Sequence, residues 1–128
     1  MKTKKINYKA KLDRVFSEYI RRRDADENGN ICCISCGKIV PWKESDCGHY
    51  VNRSVMSLRF DEKNCNAQCR YCNRFQEGQM MGYHAGLIKK YGASVIDYLT
   101  MKKTNTAHYS EAVYKALIDE YKQKISNL

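Results

Sequence analysis

Apolar side chains recur three and four positions apart near both ends of the chain and only in short bursts between them. Tyr8, Leu12, Val15, Phe16, Tyr19 and Ile20 fall on one face at helical spacing, predicting an amphipathic helix over about Asn7 to Arg23. Arg21, Arg22 and Arg23 close it, where cations are favoured by a helix C-terminus; they could equally stay solvated or reach a phosphate backbone. Asp24 to Asn30 contains Asn28-Gly29 and reads as a turn. Ile31 to Ile34, Ile39-Val40, Tyr50-Val51 and Leu58 to Phe60 are short and β-like. From Asn73 the pattern turns helical, weakened by Gly82 and Gly86, and closes with Leu87, Ile88 and Tyr91 before Gly92. Ser94 with Asp97 three residues on resembles a capping box for a short helix through Leu99. After a polar connection, Val113, Tyr114, Leu117, Ile118, Tyr121 and Ile125 predict a last helix from near Ser110. The expected fold class is α+β, a small β centre wrapped by helices, in one domain over 1–128. Its parts are the N-terminal helix (7–23), a core (31–91) and the C-terminal helices (94–128).

Charge and cysteine content narrow the chemistry. Lys plus Arg number 23 against 14 Asp plus Glu, a formal +9 that suits a polyanion such as nucleic acid. No apolar run approaches a membrane span, and Met1 to Lys11 lacks the apolar centre of a signal peptide, so an intracellular protein is expected. Seven cysteines in such a chain favour thiolate–metal chemistry over disulfides.

Cys33-x2-Cys36 and Cys69-x2-Cys72 form two knuckles. A tight turn aims both sulfurs of a knuckle at one point, and two knuckles complete a tetrahedron around Zn2+. Four thiolates leave no open position, so this zinc is expected to be structural, relieving the shortage of core in a small chain. Cys32 could replace Cys33 as a ligand, while Cys47 and Cys65 read as small packed side chains.

Between the knuckles lies Asp46-Cys-Gly-His-Tyr50. Phosphodiester hydrolysis needs an activated water, charge neutralisation at the phosphate and help for the departing oxygen, which one imidazole and one divalent metal can provide. His49 is the candidate general base. Asn73, directly after the second knuckle, could offer an amide oxygen to Mg2+ or Mn2+, and Asp46 could add a carboxylate. Taken singly, each has a plainer role as a surface His, a helix cap or a turn residue.

Together these residues resemble the HNH, or ββα-metal, nuclease motif with an added zinc site, an arrangement similar to phage endonuclease VII. The resemblance implies that His49 on a first strand is the base, Asn64 on a second strand braces the loop containing it, and Asn73 on a helix binds the catalytic metal. A wider resemblance covers nearly the whole chain: Lys11-Leu-Asp-Arg-Val-Phe-Ser-Glu-Tyr-Ile20, Asp46 to Tyr50, Leu58-Arg-Phe-Asp61, Gln68-Cys-Arg-Tyr-Cys-Asn73 and Gly86-Leu-Ile-Lys-Lys-Tyr-Gly92. These segments are similar to the NinG/Rap family of phage recombination proteins. That family implies a phage- or prophage-encoded, structure-specific endonuclease in the bacterial cytoplasm, acting on branched DNA such as Holliday junctions.

One position departs from the HNH pattern. Gly48 stands where an acidic residue or His often precedes the catalytic His. Asp46 and His49 lie three apart, so on a regular strand they face opposite sides unless a turn or bulge, which Gly48 permits, intervenes. Glu77, one helical turn after Asn73, is a substitute or additional metal ligand, or simply an exposed residue. Arg53, Arg59, Arg70 and Arg74 could hold DNA phosphates or pair with Asp61 and Glu62. His84 and His108 lack a partner spacing and read as structural or exposed, and Trp42 is expected to pack against a knuckle. Symmetric cutting of a four-way junction needs two opposed centres, so a homodimer is expected. Competing functions are an HNH nicking or restriction-type nuclease on duplex DNA and a non-enzymatic zinc module that binds DNA or protein.

Overall fold

In the computed structural model, which describes residues 4–128, the two ends of the chain pack against each other. Helix α1 (Tyr8–Arg23) begins at Asn7, whose side chain accepts from Ala10 N at 3.0 Å, and helix α5 (Glu111–Ser126) begins at Ser110, capping Val113 N. Their apolar stripes meet. Leu12, Phe16 and Ile20 are buried against Ile118 and Tyr121, and Phe16 meets the Tyr121 ring edge-on at 4.9 Å. Each such buried side chain contributes about 1.5–3 kcal/mol. A second apolar cluster joins Leu58, Tyr83, Leu87, Val95 and Leu99 on the far side of the centre.

The centre consists of two separate antiparallel pairs, making the protein α+β. Strand β1 (Asn30–Cys32) pairs with β2 (Ile39–Pro41), and β3 (Ser45–His49) pairs with β4 (Cys65–Cys69). A 3-10 turn, Trp42–Glu44, links β2 to β3. Trp42 lies beneath the guanidinium groups of Arg21 and Arg22, so it packs on the end of α1 rather than on the cysteines. The expected strand at Leu58 to Phe60 is instead the short helix α2 (Met56–Arg59) and its cap. Strand β3 carries almost no apolar signal, and β4 is wholly buried although it reads Cys-Asn-Ala-Gln-Cys. Burial of polar side chains is tolerable only with partners. Asn66 donates to Lys63 O and the Tyr83 hydroxyl, and Gln68 donates to Ser35 Oγ and Gly78 O. No buried side-chain nitrogen or oxygen among the described residues lacks a partner.

After β4 the chain forms a π-helical turn, Tyr71–Phe75, and then breaks. Glu77, Gly78 and Gln79 all have positive φ, and helix α3 (Met80–Tyr91) starts only afterwards. The expected continuous helix from Asn73 is therefore interrupted. The break delivers the Gly78 carbonyl to Ser35 Oγ and Gln68 Nε2, fastening the turn to the first knuckle. Gly82 and Gly86 are packing positions: a Cβ at either would come within 2.0 Å of the Ser35 or Ile34 carbonyl oxygen. Helix α4 (Ser94–Lys103) runs beyond Leu99, and the capping box does not form, because Ser94 is already inside the helix and Ala93 is its cap.

Candidate metal and hydrolytic centre

The two knuckles converge. The Sγ atoms of Cys33, Cys36, Cys69 and Cys72 lie within 4.8 Å of one another. A zinc tetrahedron with Zn–S near 2.3 Å has S···S edges of about 3.8 Å, and Cys36 Sγ and Cys69 Sγ are 3.8 Å apart. Cys72 N–H points at Cys69 Sγ, and Gly37 N–H closes the first turn on Cys33 O. Burial opposes ionisation of Cys33, but backbone N–H groups of Cys69, Cys36 and Ser35 outweigh it and lower the thiol's pKa. The cluster could bind a metal ion such as zinc. Cys32 is exposed, with its thiol turned to Gly37 O, and is not part of it.

His49 ends β3. Its Nε2 lies 2.9 Å from the carbonyl oxygen of Arg59. A carbonyl only accepts, so Nε2 carries the hydrogen and Nδ1 is left as the lone-pair nitrogen. Burial lowers the His49 pKa, and the nearby Arg59 charge adds to that, overcoming the carbonyl's opposite pull. The ring is therefore neutral at pH 7, as a base must be.

Asn64 precedes β4 and is fully buried. Its Oδ1 accepts from Val51 N at 2.8 Å, while Nδ2 donates to Val51 O and Leu58 O at 3.1 and 3.0 Å. It thus ties both ends of the segment that presents the Arg59 carbonyl to His49.

Asp46 meets the turn after β4. Asn73 Nδ2 donates to Asp46 Oδ2 at 3.0 Å, and Arg74 binds both carboxylate oxygens at 2.9 and 3.0 Å. The Asn73 oxygen is consequently the atom left for a cation. Burial would raise the Asp46 pKa, yet Arg74, Asn73 and Arg70 together lower it, keeping the carboxylate ionised. Asp46, His49, Arg53, Asn73 and Arg74 all border one cleft of about 280 Å3. A larger hollow of about 780 Å3, between the first knuckle and α3, contains none of these groups.

The β3–β4 register is regular from Ser45↔Cys69 to His49↔Cys65, without a bulge. Gly48 therefore does not turn Asp46 toward His49. Instead Gly48 accommodates the buried side chain of Gln68, whose Oε1 would lie 2.1 Å from an added Cβ. Asp46 borders the cleft because the π-helical turn carries Asn73 and Arg74 to it. Glu77 is not one helical turn from Asn73, because the helix is broken there; it is exposed and does not border the cleft.

The four arginines divide. Arg53, Arg70 and Arg74 are exposed, although Arg70 also donates to Lys43 O. Arg59 is buried, bound to both carboxylate oxygens of Asp13 and donating to Arg53 O, so it is a structural cation rather than a phosphate ligand. Asp61 and Glu62 pair with Lys102 and Lys124, not with these arginines. His84 and His108 are exposed. Asp13 was not distinguishable in the sequence from any polar position on the outer face of α1. Tyr71 and Phe75, exposed on either side of Asn73, likewise gave no signal beyond their composition.

The fold and site define an α+β protein built around a four-cysteine cluster and a cleft bordered by His49, Asp46 and Asn73. The family model described as Bacteriophage Lambda NinG protein matches residues 1–128, and the chain belongs to the NinG family. It is 34% identical over 111 residues to Protein ninG of Salmonella phage P22 and 33% identical over 111 residues to Protein ninG of Escherichia phage lambda. Each alignment covers 86% of this chain and 52% of the relative, so the chain spans about half the length of these curated relatives. Protein ninG of Enterobacteria phage H19B is 36% identical over 80 residues, 62% of this chain and 37% of its own. No solved structure matches the chain significantly. Among the described residues no helix is long and apolar enough to cross a membrane.

Proposed function

We propose that the chain is a zinc-framed endonuclease of the ββα-metal (HNH) type that hydrolyses DNA phosphodiesters at branch points such as Holliday junctions. In this reading Cys33, Cys36, Cys69 and Cys72 hold a structural zinc, and β3, β4 and the turn with Asn73 form the hydrolytic unit. The observation that carries the proposal is the hydrogen bond from His49 Nε2 to the Arg59 carbonyl, which leaves Nδ1 as the lone-pair nitrogen of a neutral imidazole, in a residue that borders the same cleft as Asp46 and Asn73.

His49 Nδ1 takes a proton from a water whose oxygen attacks phosphorus. The bond to the 3′ oxygen breaks, that oxygen is protonated from solvent, and 5′-phosphate and 3′-hydroxyl ends remain. Asp46 and Asn73 offer the hard oxygen donors that suit Mg2+ or Mn2+, and such an ion would neutralise charge on the phosphate and the leaving oxygen. Arg74, held by Asp46 before substrate arrives, and Arg53 contribute cations at the cleft's edge. Exposed Tyr71 and Phe75 beside these cations suit contact with unpaired bases. A symmetric cut across a four-way junction would require a homodimer.

The test uses purified protein with Mg2+ on a four-way junction and on linear duplex of the same sequence. Preferential cutting of the junction is expected. Equal cutting would replace the branch reading with that of a nicking or restriction-type nuclease, and binding without cutting would leave a zinc DNA-binding module.

A further inference from the structure

Two thiols stand beside the candidate base with no part in hydrolysis. Regular pairing places Cys65 directly opposite His49, and Cys47, two residues before His49, shares its face of β3. The sulfurs of Cys47 and Cys65 and a ring nitrogen of His49 lie within 4.8 Å of one another. Each pair is therefore at most about 1 Å beyond the roughly 3.5–3.8 Å between ligands of a tetrahedral zinc, a gap that side-chain rotation can close. Cys65 is fully buried and forms the floor, whereas Cys47 and His49 border the cleft, giving an ion an entry route. No atom of this trio belongs to the four-cysteine cluster.

We propose that Cys47, His49 and Cys65 form a second metal site, selective for a thiophilic divalent ion such as Zn2+, and that its occupancy inhibits the enzyme. Two thiolates and an imidazole match zinc and disfavour Mg2+, which seeks oxygen ligands. Softness therefore sorts the ions between neighbouring sites: Mg2+ with Asp46 and Asn73, zinc with the thiols. An occupied site engages His49 as a ligand. If the metal takes Nδ1, the lone pair for the water's proton is lost directly; if it takes Nε2, the hydrogen bond to Arg59 is broken and the ring's orientation with it. The inhibition rests on His49 being the base, whereas the binding does not.

The experiment counts zinc after equilibrium dialysis of the full chain, already carrying its four-cysteine metal, against excess zinc. Wild type is expected to hold two ions per chain, and Cys47→Ser and Cys65→Ala one each. Circular dichroism checks that the variants are folded, and Cys47→Ser, at a partly exposed position, is the safer of the two. One ion in wild type, or two in both folded variants, overturns the site. In parallel, junction cleavage in Mg2+ is measured with and without added zinc. Because a general base contributes about 10²–10⁴-fold, zinc should slow wild type by about 100-fold or more and leave Cys47→Ser much less affected. Two bound ions with undiminished cleavage overturn the inhibition. Should no cleavage occur under any condition, the nuclease reading fails, while the zinc count still decides the site.

Discussion

Replacing Asn64 by Ala removes three hydrogen bonds at a fully buried position, to Val51 N, Val51 O and Leu58 O. The Leu58 carbonyl still accepts from the backbone N–H groups of Phe60 and Asp61, and Val51 is partly exposed so that water can recover some of its loss; the cost is that of the three bonds themselves, about 0.5–1.5 kcal/mol each. The expected destabilisation is about 2–4 kcal/mol, within the roughly 5–15 kcal/mol typical of a domain, so the variant should remain folded at 25 °C. The larger consequence is local. Residues 51–58 are no longer tied to β4, the Arg59 carbonyl loses its fixed place, and His49 loses the contact that sets its tautomer. A misplacement of about 1 Å near the chemistry costs on the order of 100-fold in rate. Urea unfolding followed by tryptophan fluorescence gives the stability change, and single-turnover junction cleavage well below the unfolding midpoint gives the rate. Asn64→Asp should be worse than Asn64→Ala, since it sets a carboxylate against two carbonyls. If Asn64→Ala unfolds within about 0.5 kcal/mol of wild type, the range of an inconsequential surface change, the bracing role is refuted.

Other consequences follow from the same geometry. Because burial lowers the His49 pKa, the neutral base persists below the ordinary histidine value; the acid limb of the pH–rate profile should fall below about 6.5 and vanish in His49→Ala. A limb centred above that value contradicts the buried, carbonyl-bound ring. Gly48→Ala drives a Cβ into Gln68, which Ser35 and Gly78 hold in place, and should cost about 1–3 kcal/mol by thermal or urea unfolding; a neutral result means Gln68 can move away freely. Arg74→Ala should reduce the salt dependence of DNA binding by about one phosphate contact while sparing the fold. Arg59→Ala should do the reverse, exposing Asp13 to an unpaired, partly buried position, and a salt-slope change without destabilisation would reverse that assignment. Cys69→Ser, or metal removal by a chelator, should unfold the knuckles and abolish cleavage together, as circular dichroism would show. Full activity in a folded Cys69→Ser protein would contradict a structural metal.

The terminal helices were legible because their burial follows a simple period: Leu12, Phe16 and Ile20 against Ile118 and Tyr121. The knuckles were legible because CxxC fixes sulfur direction locally, and the fold then brings the four sulfurs within 4.8 Å of one another. Strands β3 and β4 were not legible in the apolar pattern, since they are held by buried amides and cross-strand pairing; only the resemblance pointed to strands there, and it set Asn64 on the second strand, which in the fold begins one residue later at Cys65. Leu58 to Phe60 misled for the complementary reason: their apolar character serves a buried helical turn, with Leu58 in one core and Phe60 in the other. The break at Gln76 to Gln79 depends on the Gly78 carbonyl meeting Ser35 and Gln68, residues remote in sequence. Arg59 looked like a phosphate ligand because Asp13, its partner, lies on a different helix. The trio of Cys47, His49 and Cys65 becomes visible only once the register opposes His49 to Cys65.

Single-turnover cleavage of a four-way junction by metal-loaded wild type and by His49→Ala, with DNA affinity measured for both, addresses the central claim most directly. The predicted result is equal binding, Mg2+-dependent cleavage by wild type, and a loss of about 100-fold or more in His49→Ala. Equal rates in the two proteins, or binding by both without cleavage by either, would contradict a hydrolytic centre built on His49.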